Sequence, residues 1–201
     1  MCAALLAIIV CGIIGYIGVS PAVPILVRGL QRLEYRGYDS AGIAVIEDQE
    51  LFRVRDKGKV ATLAAQLENS QFSSTIGMGH TRWATHGEPS RENSHPHASH
   101  NGSIMVVHNG IIENYYELRE QLRIQGYKFT SETDTEIMAH LIEDAYDGDL
   151  LQAVKSALHQ VQGTYGLVVM HADHPHEMVA ARLGSPMVIG IGDNETLVAR
   201  V

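Results

Sequence analysis

The chain has 201 residues, 45% of them apolar and 19% charged, with 19 Gly, 6 Pro and 2 Cys. That length suits one domain with a sizeable core, and the composition excludes a disordered chain, a collagen-like repeat and a small disulfide scaffold. Fifteen Lys and Arg against 23 Asp and Glu leave a formal net charge of -8, which repels nucleic-acid phosphates and anionic membrane surfaces, so neither is expected as a partner.

The two cysteines, Cys2 and Cys11, show neither disulfide-framework nor metal-knuckle spacing, which fits a reducing cytoplasm. They lie in or beside an uncharged stretch of seventeen residues from Ala3 to Val19, close to the length a bilayer requires. No Lys or Arg precedes it, Gly12, Gly15 and Gly18 interrupt it, and no small-residue cleavage pattern closes it. A buried strand is therefore expected there, not an anchor. Pro21 can then open a helix, with Val23, Leu26, Val27, Leu30 and Leu33 on one face. Ala41 to Glu47 and Leu51 to Arg55, joined by Asp48, Gln49 and Glu50, read as an antiparallel hairpin. A helix is expected over Val60 to Leu67, and strands over Thr75 to Arg82 and Ser103 to His108.

Between those two strands lie about twenty residues rich in Ser, His, Pro, Asn and Gly without apolar period, and a loop that long is usually functional. Helices follow over Glu113 to Gln125, Asp134 to Tyr146 and Asp149 to Val161. Short apolar runs at Leu167 to Met170, Met178 to Ala181 and Pro186 to Ile191 suggest a final meander. Strands arriving in hairpins with helices before and between them point to antiparallel sheet layered with helices, an α+β chain. No glycine-rich phosphate loop occurs, so no nucleotide cofactor is expected.

Four clusters are more specific than composition: Cys11-Gly12-Ile13-Ile14-Gly15; Leu33-Glu34-Tyr35-Arg36-Gly37-Tyr38-Asp39-Ser40-Ala41-Gly42; His80-Thr81-Arg82-Trp83-Ala84-Thr85-His86-Gly87, with His108-Asn109-Gly110 following; and Ser131-Glu132-Thr133-Asp134-Thr135-Glu136. Together they resemble the glutaminase domain of the glutamine–fructose-6-phosphate aminotransferase (glucosamine-6-phosphate synthase) family, over nearly the whole chain from Cys11. The resemblance implies a four-layer αββα N-terminal-nucleophile hydrolase sandwich, two antiparallel sheets covered by helices. It further implies that Cys11, freed as the first residue, attacks the carboxamide of L-glutamine to give a γ-glutamyl thioester and ammonia, with its own α-amine as base. Asn109 and Gly110 would form the oxyanion hole. Arg82 would bind the substrate α-carboxylate and Asp134 its α-ammonium. Trp83, Thr85 and His86 would belong to a loop that closes over glutamine, and Arg36 would orient the amine of Cys11. No cofactor is implied.

The same residues have ordinary readings. Cys11 in an apolar strand is most often a small buried hydrophobe, Asn-Gly a tight turn, Asp134 a helix N-cap and Trp83 core. His80, His86, His95, His97, His100 and His108 fall within 29 residues, yet Pro96 between two of them argues for an exposed loop of ordinary hydrogen bonds over a metal site.

Two departures from the family pattern shape expectations. Members begin Met-Cys-Gly-Ile, whereas here residues 1–10 precede Cys11 as an extension or propeptide, and while Val10 stays attached the Cys11 nitrogen is an amide without a basic lone pair. The resemblance implies that residues 11–201 form the amidotransferase domain, with its C-terminal edge clipped and the sugar-isomerase domains absent, so fructose 6-phosphate would be reached only through those domains, where the homo-oligomer contacts of the parent are also expected. The chain as written is expected at most to hydrolyse glutamine. The rivals are a silent glutamine-binding module with Cys11 blocked and a histidine-dependent metallohydrolase.

Overall fold

The computed structural model describes residues 11–36, 38–84 and 87–200, with nothing stated of the Arg36 side chain. The apolar opening run contributes strand β1, Gly12–Ile17; the rest of that run before Cys11, Cys2 and the expected extension lie outside the described residues. Among the described residues no helix is long and apolar enough to cross a membrane.

Helix α1, Ala22–Leu33, begins directly after Pro21 and buries Ala22, Val23, Leu26, Leu30 and Leu33 at three- and four-residue spacing. Strands β2, Ser40–Glu47, and β3, Glu50–Lys57, pair antiparallel through a two-residue turn. Asp48 and Gln49 both take positive φ there, the backbone twist that matches a tight hairpin. Helix α2, Val60–Leu67, is followed by β4, Ile76–Arg82, then by a two-residue strand β5, His97–Ala98. Strand β6, Ile104–Ile112, leads into helices α3, Tyr115–Ile124, α4, Thr135–Asp144, and α5, Leu150–Leu158. The chain continues with β7, Gly163–His171, β8, Val179–Leu183, β9, Val188–Gly192, and β10, Glu195–Arg200.

These strands form two antiparallel sheets. The first has the order β3-β2-β4-β1-β10-β9 and the second β5-β6-β7-β8. The closing run is not one meander: β8 pairs with β7 in the second sheet, while the chain then crosses to the first, where β10 pairs with both β9 and β1. β10 has no strong alternation of its own; it is held by long-range pairing with the other end of the chain, Ile13 opposite Arg200.

Side chains alternate across each strand, so each sheet feeds two cores. Ile13, Met78, Met105, Val107, Val168 and Met170 pack between the sheets. Ile14, Ile43 and Val45 face the other way, onto Leu26 and Leu30 of α1 and Leu63 of α2. Val106, Leu167 and Val169 meet Ile137, Met138, Val154 and Leu122 from α4, α5 and α3. Helices, sheet, sheet and helices therefore stack as four layers, the sandwich expected from the family resemblance.

This topology gathers the motifs. β1 and β2 both run antiparallel to β4, with Gly12 opposite Thr81, Ala41 opposite Thr81 and Ser40 opposite Arg82. The starts of β1 and β2 and the end of β4 thus meet at one end of the sheet, and with them Cys11, Asp39 and Arg82.

Candidate active site

At that end lies a small cavity lined by Cys11, Arg82, Trp83, Asn109, Gly110 and Asp134, together with His80, His95, His108, Thr133 and Thr135. The lining is polar on most sides, which suits a small zwitterion better than an extended apolar ligand.

Cys11 precedes β1 and is buried. The Trp83 N–H donates to Cys11 Sγ at 3.1 Å, and Sγ lies 3.5 Å from the Trp83 carbonyl. Burial pushes the thiol above its ordinary value; the Trp83 N–H, Arg200 and Arg82 work against this, and Asp39 with it. A thiol in that environment does not ionise unaided near neutral pH, so nucleophilic attack requires a proton acceptor. The Cys11 carbonyl accepts from Arg200 Nη1 at 2.8 Å and from Asn109 Nδ2 at 3.0 Å, while the Gly12 N–H donates to Thr81 Oγ1 at 3.2 Å. The backbone around the sulfur is therefore pinned from three strands.

Asn109 and Gly110 are not in a turn. β6 continues through them to Ile112, with Asn109 opposite Gly166 and Gly110 opposite Tyr165 on β7. The expected strand end at His108 is corrected accordingly. Gly110 has φ of +149°, and a Cβ there would meet the Thr164 carbonyl oxygen at 1.9 Å, so only glycine fits this backbone. A buried amide in mid-strand beside a cavity is placed for a ligand, whereas a hairpin tip would be placed in solvent.

Asp134 stands at the N-cap of α4 but makes no side-chain cap bond. Its Oδ2 instead accepts from the Ile112 N–H at 3.0 Å, across the cavity wall on β6. The carboxylate is buried, and the local pattern that suggests a cap is thus used otherwise. Arg82, equally buried, donates from Nη2 to the Gly87 carbonyl at 3.0 Å and from Nη1 to that of Glu88 at 3.5 Å. Its Nη1 lies 3.7 Å from Asp39 Oδ1. Burial lowers the Arg82 pKa, with Asp39 opposing, and the group stays a cation. Trp83 is 52% exposed, so it is not core, and it contributes to the lining of the cavity. Thr85 and His86 lie outside the described residues, as does the side chain of Arg36.

Sequence reading assigned no role to four residues that shape this site. Asp39 accepts from the Ala84 N–H and from Ser40 Oγ besides facing Arg82, so it ties the start of β2 to the segment after β4. Thr81 holds the Gly12 N–H, Arg200 holds the Cys11 carbonyl, and His80 holds Asn109, with His80 Nε2 at 2.6 Å from Asn109 Oδ1. Asp39, Thr81 and His80 stood in the quoted motifs; Arg200 had no signal, because its strand had none.

The histidine-rich segment is also corrected. His95 and His97 are buried, not part of an exposed loop, and Gly42 on β2 lets the His95 carbonyl approach to where a Cβ would sit 2.2 Å away. His95 Nε2 lies 2.9 Å from Thr135 Oγ1, His108 Nδ1 3.0 Å from the same oxygen, and His97 Nε2 3.1 Å from Thr133 Oγ1. Those two threonines flank Asp134, so three imidazoles hold its backbone segment. Burial lowers the pKa of His95 and His97 well below the usual value and that of His80 to about 3, which keeps all three neutral. Among the described residues no group of three or more His, Cys, Asp or Glu side chains has the arrangement of a metal site.

Two antiparallel sheets face to face between helix layers, with a cysteine heading a central strand over a polar cavity, have the architecture of the N-terminal-nucleophile hydrolase fold. The chain belongs to the glutamine amidotransferase domain family, whose model matches residues 80–199. It is 55% identical over 189 residues to glutamine–fructose-6-phosphate aminotransferase [isomerizing] of Clostridium tetani and 52% identical over 189 residues to that of Thermus thermophilus. Each alignment covers 94% of this chain, which spans 31% of the length of those relatives. Among solved structures, the glutamine phosphoribosylpyrophosphate amidotransferase from B. subtilis superposes with a TM-score of 0.82 at 30% identity, over 94% of this chain and 41% of that one. A glutamine aminotransferase class-II domain protein from Silicibacter pomeroyi shares the fold, with a TM-score of 0.65 at 16% identity over 94% and 88% of the two chains.

Proposed function

We propose that the chain is the glutamine-hydrolysing part of a glutamine–fructose-6-phosphate aminotransferase and works by N-terminal cysteine catalysis. The observation that carries the reading is one small cavity lined by a thiol, an asparagine amide and its following glycine, a guanidinium and a carboxylate. L-Glutamine lies with its α-carboxylate on Arg82 and its α-ammonium on Asp134, opposite charges matched to the two ends of the amino acid. Its carboxamide carbon then faces Cys11 Sγ.

The mature chain begins at Cys11, residues 1–10 being removed, and the freed α-amine accepts the thiol proton as Sγ attacks. An α-amino group with a pKa of about 7.7 to 8 is suited to that transfer near neutral pH. The negative charge gathering on the carboxamide oxygen is met by Asn109 Nδ2–H and the Gly110 N–H. The ammonium next to the sulfur then passes its proton to the departing nitrogen, the C–N bond breaks, and ammonia leaves a γ-glutamyl thioester. Water adds to the thioester with the same amine taking its proton, which releases glutamate and restores the thiol. Arg36 orients the amine, and Trp83, Thr85 and His86 close over bound glutamine. In the longer parent, ammonia passes to fructose 6-phosphate held by regions outside this chain, in the cytoplasm, to give glucosamine 6-phosphate.

The complete set of charged and donor groups beside the thiol does not favour a silent binding module. The test is labelling by a glutamine-analogue electrophile. One equivalent should attach to Cys11, and excess L-glutamine should suppress it, read by peptide mass. Labelling at another residue, or labelling that glutamine leaves unaffected, would refute the reading.

A further inference from the structure

We propose that His80 is a positioning residue for the oxyanion hole: by donating from Nε2 to Asn109 Oδ1, it fixes which end of the Asn109 amide faces Cys11. The inference rests on the function proposed above and goes beyond it by assigning the group that aims one of its donors.

The argument begins at the Cys11 carbonyl. That oxygen has Asn109 Nδ2 at 3.0 Å and Arg200 Nη1 at 2.8 Å, and a carbonyl can only accept. The end of the Asn109 amide turned toward it must therefore be the nitrogen, because a flipped amide would set two oxygens against each other. The other end, Oδ1, is then turned to His80 Nε2 at 2.6 Å, and an oxygen without hydrogens requires the ring nitrogen to donate. In a neutral ring the proton on Nε2 leaves Nδ1 with a bare lone pair. His80 Nδ1 is indeed buried without a hydrogen-bond partner among the described residues, a state tolerated better by an acceptor than by an N–H.

His80 cannot readily swing away. It is 1% exposed, lies on β4 directly opposite Ile13 of β1 and Gly42 of β2, and stacks on His95 with ring centroids 4.1 Å apart. His95 is held in turn by Thr135. The Asn109 amide has two N–H groups. With one spent on the Cys11 carbonyl, the second is available to the carboxamide oxygen of the substrate only while the amide keeps this orientation. Without the His80 donor the flipped amide gains in population, and Oδ1 then repels the oxyanion it should stabilise.

The experiment compares the wild-type chain with His80→Met and His80→Gln, which have similar length; Gln retains an N–H and Met does not. Glutamine hydrolysis is measured beside the rate at which iodoacetamide alkylates Cys11, a displacement at carbon that develops no oxyanion. For His80→Met, kcat should fall about 10- to 100-fold, with KM within about threefold and the alkylation rate within about twofold of wild type. His80→Gln should recover kcat to within about fivefold of wild type. A parallel loss of kcat and alkylation would show a merely structural role and overturn the inference, as would an unchanged kcat. Should His80→Met fail to fold, ¹⁵N spectra of the wild-type histidines decide it: His80 must carry its proton on Nε2, and a proton on Nδ1 overturns the proposal. If wild type neither hydrolyses glutamine nor shows an accessible Cys11, the functional reading fails, and the ¹⁵N result still reports the Asn109 orientation independently.

Discussion

Replacing Cys11 by Ala is expected to abolish glutamine hydrolysis, by at least about 10⁴-fold in kcat, since it removes the thiol assigned to form the thioester. Folding should survive. The Cys11 side chain is small, its hydrogen bonds among the described residues are made with the Trp83 backbone, and the contacts that pin the segment go to the Cys11 carbonyl, which Ala retains. Glutamine binding should also survive, because Arg82 and Asp134 are untouched. Calorimetric titration of Cys11→Ala should therefore report an affinity near that of wild type alongside a lost ammonia signal. Hydrolysis within about tenfold of wild type would remove Cys11 from the mechanism altogether.

Asp134→Asn should raise KM for glutamine about 100-fold with a smaller change in kcat. The buried carboxylate is assigned to the substrate ammonium, and removing one partner of a buried charge pair costs about 2 to 5 kcal/mol. This substitution separates the two readings of Asp134. Asn caps a helix as well as Asp does, so a capping role predicts near-normal kinetics and an unchanged melting temperature. The Asn side-chain oxygen can still accept from the Ile112 N–H, so the wall of the cavity should hold. Steady-state kinetics beside thermal melting of the same preparation check both arms; an unaltered KM would return Asp134 to a structural role.

Local signals and long-range ones were unequally readable in this chain. Helix α2 ends where its apolar spacing ends, and the α1 start is marked by Pro21, because helical bonds close within four residues. The assignment of β9 and β10 to the first sheet has no such signature: β10 is fixed by residues at the opposite end of the chain, and pairing across that separation leaves no periodicity to read. The site divides in the same way. Cys11, Arg82 and Asp39 stand at strand ends that the antiparallel register brings together, so their short motifs were visible before the geometry was. The dipeptide Asn109-Gly110 is ambiguous alone, and only its pairing with β7 removes it from a turn. His95 and His97 were misjudged as exposed because their burial depends on Gly42 and Thr133, which no neighbouring residue announces.

The proposed mechanism depends on a primary amine at Cys11, and identification of the first residue in glutamine-hydrolysing material tests that most directly. Amino-terminal sequencing with intact mass should find chains beginning Cys-Gly-Ile-Ile, and activity should track their fraction in the sample. Full activity in protein that still begins with Met1 or Cys2, with no chain opening at Cys11, would contradict the account.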